Sequence, residues 1–337
     1  MQHNSPHLDA LSTTTNPAAL PRENSLGIVL STVTDSSAET LVHTGVLAEE
    51  AGFDAVYINE GRGDALAAAL AIALATKKIH IGTNIANIYF RHAYLAAHTA
   101  RTIGEFSKGR FILGLGMSHR SLLASLGIEM GDARRYLEDY TREVKSALAG
   151  NLGQGFLKTD RAPFVPPVFV AGNTIESAAI AGRAGDGIMP FLSPKSYLPT
   201  LTKAARDASP GQQSPCIMSI PTFLHEDIDL ARSAARYNLA FFALLPNYRK
   251  QWRRAGFKDA MDKIKAAASN KSRRELAEEI PDELVEQVCI FGSVQQCTAQ
   301  IAEFRQAGAD QPVLAVSPVN NDRQTATENA IKLLAPS

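Results

Sequence analysis

Cysteine is scarce. Cys216, Cys289 and Cys297 are an odd number in 337 residues, too few for a disulfide framework. Seven residues separate the last two, which matches no C-x-x-C metal or redox spacing, so all three read as reduced, buried thiols and no metal site is expected. A charge excess is also missing: 34 Lys and Arg balance 34 Asp and Glu, leaving no net attraction for nucleic acid or an anionic membrane. No apolar run reaches membrane-spanning length, and the N-terminus lacks a positive segment followed by an apolar one. These absences leave a cytoplasmic protein that acts on a small molecule as the expectation.

Hydrophobic residues make up 45% of the chain, enough to bury a large core in one long α/β barrel or in two ordinary domains. The stretch from Ser107 to Arg120 is the most informative. A Gly109-Arg110 turn feeds the unbroken apolar run Phe111-Ile112-Leu113, which ends in Gly114-Leu115-Gly116-Met117-Ser118-His119. A buried strand reads this way when its end opens into a binding site. Gly114 and Gly116 match the front of a dinucleotide fingerprint, but His119 stands where its third glycine belongs, which disfavours a Rossmann assignment.

A repeating grammar organises the rest. Ala51-Gly52, Ala184-Gly185 and Ala307-Gly308 each end a helical pattern, an Asp follows within two residues, and an apolar run comes next. Apolar strands are expected at 26–30, 55–58, 79–83, 111–113, 168–170, 187–191, 216–223 and 313–316, the eight that a (β/α)8 barrel needs. Helices are expected over 64–76, 92–106 and 134–148, with another running from an Asp35-Ser36-Ser37 cap to Ala51. The fold class is therefore α/β, a TIM-type barrel in a single domain over 25–337. Residues 1–24 form a flexible tail, and residues 246–290 form a helical insertion between strands seven and eight, over the barrel mouth or at a subunit contact. Between Arg249 and Arg274 this insertion carries ten basic residues, read either as a solvated face balanced by acidic Glu275–Glu286 or as a positive lid for an anionic ligand.

Taken together, Gly52–Ile58, Ala73–Asn84, Phe90–Ala93, Ser107–Gly116, Pro167–Gly172 and Ala184–Ile188 resemble, in order, the sequence blocks of the luciferase-like monooxygenase family. Within it, Asn87–Arg91 and Cys289–Ser293 look most like the methylenetetrahydromethanopterin reductase type. The resemblance covers residues 26–333 and implies a flavin or deazaflavin barrel enzyme, with coenzyme F420 ahead of FMN. It also implies particular contacts. Asn84 and Ile85, followed by Ala86 and Asn87, match the place where relatives carry a non-prolyl cis peptide behind the cofactor ring. Gly116, Met117 and Ser118 match the pocket wall. Ala171, Gly172, Asn173 and Thr174 match the turn that holds the cofactor phosphate at a helix N-terminus.

Many deazaflavin dehydrogenases carry Asp-His after strand two, whereas this chain has Asn59-Glu60-Gly61. Glu60 and His119 thus become the catalytic acid/base candidates. Glu60 reads equally well as a partner for Arg62 or Arg91, and His119 as a rim histidine. His92 beside Arg91 stands near the end of strand three, placed either for the site or to start the helix, and Asp64 reads as an N-cap. The implied reaction is hydride transfer between F420 and a small alcohol, carbonyl or imine-like carbon. An FMN monooxygenase, a flavin-binding barrel without chemistry and a phosphate-binding aldolase are the alternatives. The last lacks a lysine placed for a Schiff base. A homodimer through the helices at 64–76 and 92–106 is expected by likeness.

Overall fold

The computed structural model describes residues 21–32, 37–209 and 213–336. Ten strands lie among them: β1 (Gly27–Ser31), β2 (Ala55–Asn59), β3 (His80–Thr83), β4 (Ala86–Asn87), β5 (Phe111–Gly116), β6 (Val168–Ala171), β7 (Gly187–Met189), β8 (Ile217–Leu224), β9 (Ile290–Gly292) and β10 (Gln311–Val316). The helices of the first half are α1 (Ala38–Glu50), α2 (Ala65–Ala75), α3 (Ala93–Phe106), α4 (Arg120–Ser125), α5 (Ala133–Leu148), α6 (Ile175–Ala184) and α7 (Leu198–Asp207). The second half contributes α8 (Ile228–Ala243), α9 (Pro246–Arg254), α10 (Lys258–Ala267), α11 (Arg273–Glu278), α12 (Asp282–Val288), α13 (Val294–Gln306) and α14 (Arg323–Leu333).

The strands pair in the order β7-β6-β5-β3-β2-β1-β10-β8-β9, with β4 beside β5. Every named pairing is parallel. Bridges from Ile188 to Cys216 and from Phe191 to Ser219 bring β7 back to β8, so the sheet curls round on itself in the TIM-barrel manner. The eight expected strands are present. The two short ones, β4 and β9, were not foreseen, because two or three residues carry no usable periodicity. Residues 1–20, most of the expected tail, lie outside the described residues, as do Asp35 and Ser36 of the expected helix cap. Asn24, also assigned to the tail, is tied down, its carbonyl accepting from Arg305 Nη2 at 2.8 Å.

Side chains sort by the period of two along each strand. Those of Ala55, Tyr57, Ile112, Phe169, Met189, Ile217 and Val313 point inward and pack together inside the barrel, with Val29 and Ile85 above them only partly buried. Tyr57 fits there because Gly82 stands beside it: a Cβ at that position would lie 2.5 Å from the ring. Its hydroxyl donates to Gln311 Oε1 at 2.6 Å. The opposite strand faces pack against the Ala-rich helices in a larger cluster that includes Ile28, Ile58, Leu66, Ile72, Ala96 and Ile103. A filled barrel interior leaves chemistry only to the loops at the C-terminal ends of the strands.

The three cysteines are free and buried. Among the described residues, no helix is long and apolar enough to cross a membrane.

Candidate active site at the barrel mouth

The site begins where β3 parts from β5. Backbone pairing joins Ile81 to Phe111 and Gly82 to Ile112, and it resumes as Ala86 with Leu115 and Asn87 with Gly116. In the gap, the Thr83 hydroxyl donates to Gly114 O at 2.8 Å and accepts from Gly114 N at 2.9 Å, standing in for the missing ladder bonds. The freed residues bulge into the mouth through a cis peptide between Asn84 and Ile85, at the position the resemblance implies. Asn84 N donates to Ile58 O at 2.8 Å, and Asn84 Nδ2 reaches across to Ser219 Oγ at 2.9 Å. Gly116 is glycine for a packing reason: a Cβ there would lie 2.6 Å from Ile85 Cγ1 and 3.2 Å from Ala171 Cβ. The tips of β3, β5 and β6 therefore converge, and half-exposed Ile85 and Ala171 form an apolar shelf over buried Gly116.

The site residues expected from sequence separate into three groups. Asn84, Ile85, Ser118, His119, Ala171, Asn173 and Thr174 are half-exposed at the mouth, whereas Asn87 and Gly172 are buried beneath it. Ala86 and Met117 depart from expectation, because both pack into the cluster between strands and helices.

Glu60 has its hydrogen-bonding capacity committed. Arg91 grips it in a fork, Nη1 to Oε2 at 3.1 Å and Nη2 to Oε1 at 2.5 Å. Asn87 N donates to Oε2 at 2.6 Å and Ala65 N to Oε1 at 3.3 Å. Only 2% of the Glu60 side chain and 11% of the Arg91 side chain is exposed, so the pair is screened from water. Burial pulls the Arg91 guanidinium down, but the hydrogen bond and charge of Glu60 outweigh it and hold the group above its ordinary value. The Glu60 backbone N–H donates to Ile85 O at 3.2 Å. Glu60 thus braces the bulge, and of the two readings open in the sequence the partner of Arg91 is the one its contacts describe. His92 caps α3, the helix-start reading, and Asp64 caps α2 as expected.

His119 differs. It precedes α4 without capping it, and its Nδ1 is buried with no hydrogen-bond partner among the described residues. Burial lowers its pKa below the ordinary histidine value, so the ring is neutral near pH 7. Ser118, just before it, has a φ of +58° that turns the chain sharply. The His119 ring lies 5.7 Å from that of Tyr248 on α9. Tyr248 in turn meets Phe242 at 5.1 Å and Phe191 at 6.1 Å. Trp252, fully buried one turn on, donates to Leu192 O at 2.9 Å. One face of α9 is therefore seated against the loops after β5 and β7.

At the turn after β6, where the resemblance implies the cofactor phosphate, two backbone N–H groups are taken up locally. Thr174 and Ser177 form a reciprocal capping box that uses both of their N–H groups, and Asn173 Oδ1 accepts from Phe191 N at 2.8 Å. Glu176 stands in the first turn of α6 and takes two bonds from Arg254 of α9, at 3.0 and 3.1 Å. The Arg254 bonds, with local backbone donors, draw the Glu176 carboxyl down to about 2. Other basic residues of the 249–274 segment are paired as well: Arg253 and Lys258 with Asp262, and Lys271 with Glu279. Of these partners only Glu279 lies in the acidic run Glu275–Glu286; Asp262 belongs to the basic segment itself and Glu176 to α6.

Next to the shelf, a cavity of about 200 Å³ opens between the tips of β1, β2, β8 and β10. Ser31, Asn59, Ser317, Phe191, Asn238 and Arg323 are among its walls. Of these residues the sequence singles out only Asn59, as the neighbour of Glu60. A signal existed for three of them, since Ser31, Asn59 and Ser317 are each the first polar residue after an apolar strand. Phe191 joins the two regions: its backbone is held by Asn173, it bridges to Ser219, and its side chain walls the cavity.

Fold and geometry together define a TIM-barrel-type protein with a candidate site at the C-terminal ends of its strands. The chain belongs to the luciferase-like monooxygenase family, whose model matches residues 17–311. It is 25% identical over 312 residues to the 5,10-methylenetetrahydromethanopterin reductase of Methanolobus tindarius, an alignment covering 87% of this chain and 94% of that protein. The coenzyme F420-dependent tetrahydromethanopterin reductase of Methanopyrus kandleri superposes with a TM-score of 0.77 at 19% identity, covering 93% of this chain and 99% of that one. The oxygenating constituent of 3,6-diketocamphane monooxygenase from Pseudomonas putida, in complex with FMN, superposes with a TM-score of 0.64 at 17% identity, covering 94% and 98%. At these identities the superpositions establish the fold. Relatives by sequence include an F420-dependent oxidoreductase, and flavin monooxygenases share the same fold.

Proposed function

We propose that this protein is an F420-dependent oxidoreductase that transfers hydride to or from a small organic molecule, with His119 as the group that holds or releases the proton. The observation that carries this reading is the unpartnered, buried Nδ1 of a neutral imidazole three residues beyond the Gly116 shelf. A nitrogen in that state can take up or give back a proton without first breaking a hydrogen bond.

The residues present fit a deazaflavin ring. Ile85 and Ala171 offer a flat apolar surface over Gly116, and the buried Nδ2 of Asn87, paired in register with Gly116, has no acceptor among the described residues. When bound, the deazaflavin supplies a two-electron hydride carrier with little reactivity toward oxygen. The chain's own tasks are then to stack the substrate over the shelf, to exclude water with the aromatic cluster of α8 and α9, and to manage one proton at His119. Glu60 and Arg91 hold the bulge in place. The phosphate end of the cofactor would lie at the start of α6, where Arg254 of α9 is a cation already paired with Glu176. The helical segment α9–α12 acts as a fixed cover over the mouth between strands seven and eight of the barrel.

FMN is the second reading, because the same fold carries FMN in a monooxygenase. Titrating the protein with F420 and with FMN, following fluorescence quenching, separates the two. F420 should bind in the low-micromolar range or tighter and FMN much more weakly. Tight FMN binding with oxygen consumption, and no F420 binding, would refute the proposal.

A further inference from the structure

The cavity beside the shelf has an unusual balance of charge. Among its described lining residues there is no Asp, Glu, Lys or His, and Arg323 supplies the one formal charge. Arg323 Nη1 donates to Val316 O at 2.7 Å and lies 3.5 Å from Ser317 Oγ. Its Nη2 and Nε have no acceptor, and no carboxylate pairs with it, among the described residues. The neighbouring acids are engaged elsewhere: Asp322 caps Thr325, and Glu328 accepts from Gln324. Arg91 and Arg254, two guanidinium groups also near the mouth, are instead neutralised by Glu60 and Glu176. Across the cavity, Asn238 Oδ1 is buried with no partner, and its amide is free to turn its NH2 inward. Phe191, Phe242 and Pro221 supply apolar walls.

A guanidinium with no carboxylate partner among the described residues, in a partly apolar space, is most readily satisfied by an anion, and its planar fork matches a carboxylate better than a point charge does. A volume of about 200 Å³ restricts the occupant to a small molecule. We infer that the cavity is the substrate pocket and that it selects a small monocarboxylate, anchored by Arg323 and Asn238 with its apolar part against Phe191. That the bound molecule is the substrate rests on the hydride-transfer reading above. The anion selectivity rests on the cavity alone.

The test uses the full chain with pyruvate, lactate and butyrate, each against its neutral amide, and reads affinity by ligand-observed NMR and thermal shift. The carboxylates should bind at least tenfold more tightly than the amides. Arg323→Gln and Asn238→Asp should each weaken them about tenfold to a hundredfold while F420 quenching is retained. Arg323→Gln also removes the bond to Val316, so if it melts early, Asn238→Asp, which adds a repelling charge without touching that bond, decides. Equal affinity for acid and amide in the wild type, or unchanged carboxylate affinity in folded variants, overturns the inference. F420 binding without carboxylate preference sinks this inference alone, whereas carboxylate preference without F420 binding sinks the hydride-transfer reading and leaves the anion pocket standing.

Discussion

At the scale of single residues, His119 and Glu60 show how context assigns roles to two similar candidates. His119 keeps a nitrogen without a partner, and burial lowers its pKa. Replacing it with Asn should reduce turnover by about 10² to 10⁴, measured as F420 reduction or oxidation with a carboxylate or alcohol substrate. The sign of its pH dependence follows from the depressed native pKa. Above the unfolded value of about 6.5 both states are neutral; as pH falls below it, the unfolded chain takes the proton first, so stability drops until the native ring also titrates. In the oxidative direction, where the ring accepts the proton, kcat/KM should fall only below about pH 6.5, and His119→Asn should abolish that acid limb. Glu60 has no such freedom. Arg91→Ala would leave its carboxylate buried and uncompensated, a loss of about 3 to 5 kcal/mol, visible as a lower Tm. Glu60→Gln in the same background should recover part of it, and a Tm unmoved by Arg91→Ala would rule out the bracing role.

At the scale of elements, the start of α6 and the placement of α9 belong together. Glu176 and Arg254 join the two helices, and a carboxylate in the first turn satisfies the helix dipole that a cofactor phosphate would otherwise use. Glu176→Gln should therefore tighten F420 binding by roughly twofold to tenfold, and Arg254→Ala should weaken it, both measured by quenching; the reverse order would place the phosphate elsewhere. The αβ units were legible in the sequence because each is local, with an apolar run, a capping residue such as Asp64 and a glycine stop such as Gly52 within about a dozen residues. The seat of α9 was not legible. The partners of Tyr248 and Trp252, His119 and Leu192, lie 129 and 60 positions away.

At the scale of the whole molecule, α2 and α3 expose Leu74, Leu95 and Phe106 by 62%, 56% and 56%. We infer that these faces pair two copies of the chain. Leu95→Glu with Phe106→Glu should convert a dimer to a monomer in sedimentation, while a wild type that already sediments as a monomer would discard the idea. The order of strands, their apolar character and the glycine-rich tip at Gly116 are properties of short segments, so the amino-acid sequence alone determined the barrel and the end of it that carries the site. Which carboxylate is spent on an arginine, which imidazole stays unpaired and which separate segments wall a cavity around Arg323 were decided only by tertiary structure. Those facts depend on contacts between residues tens to hundreds of positions apart, set when the sheet curls and its strand tips meet.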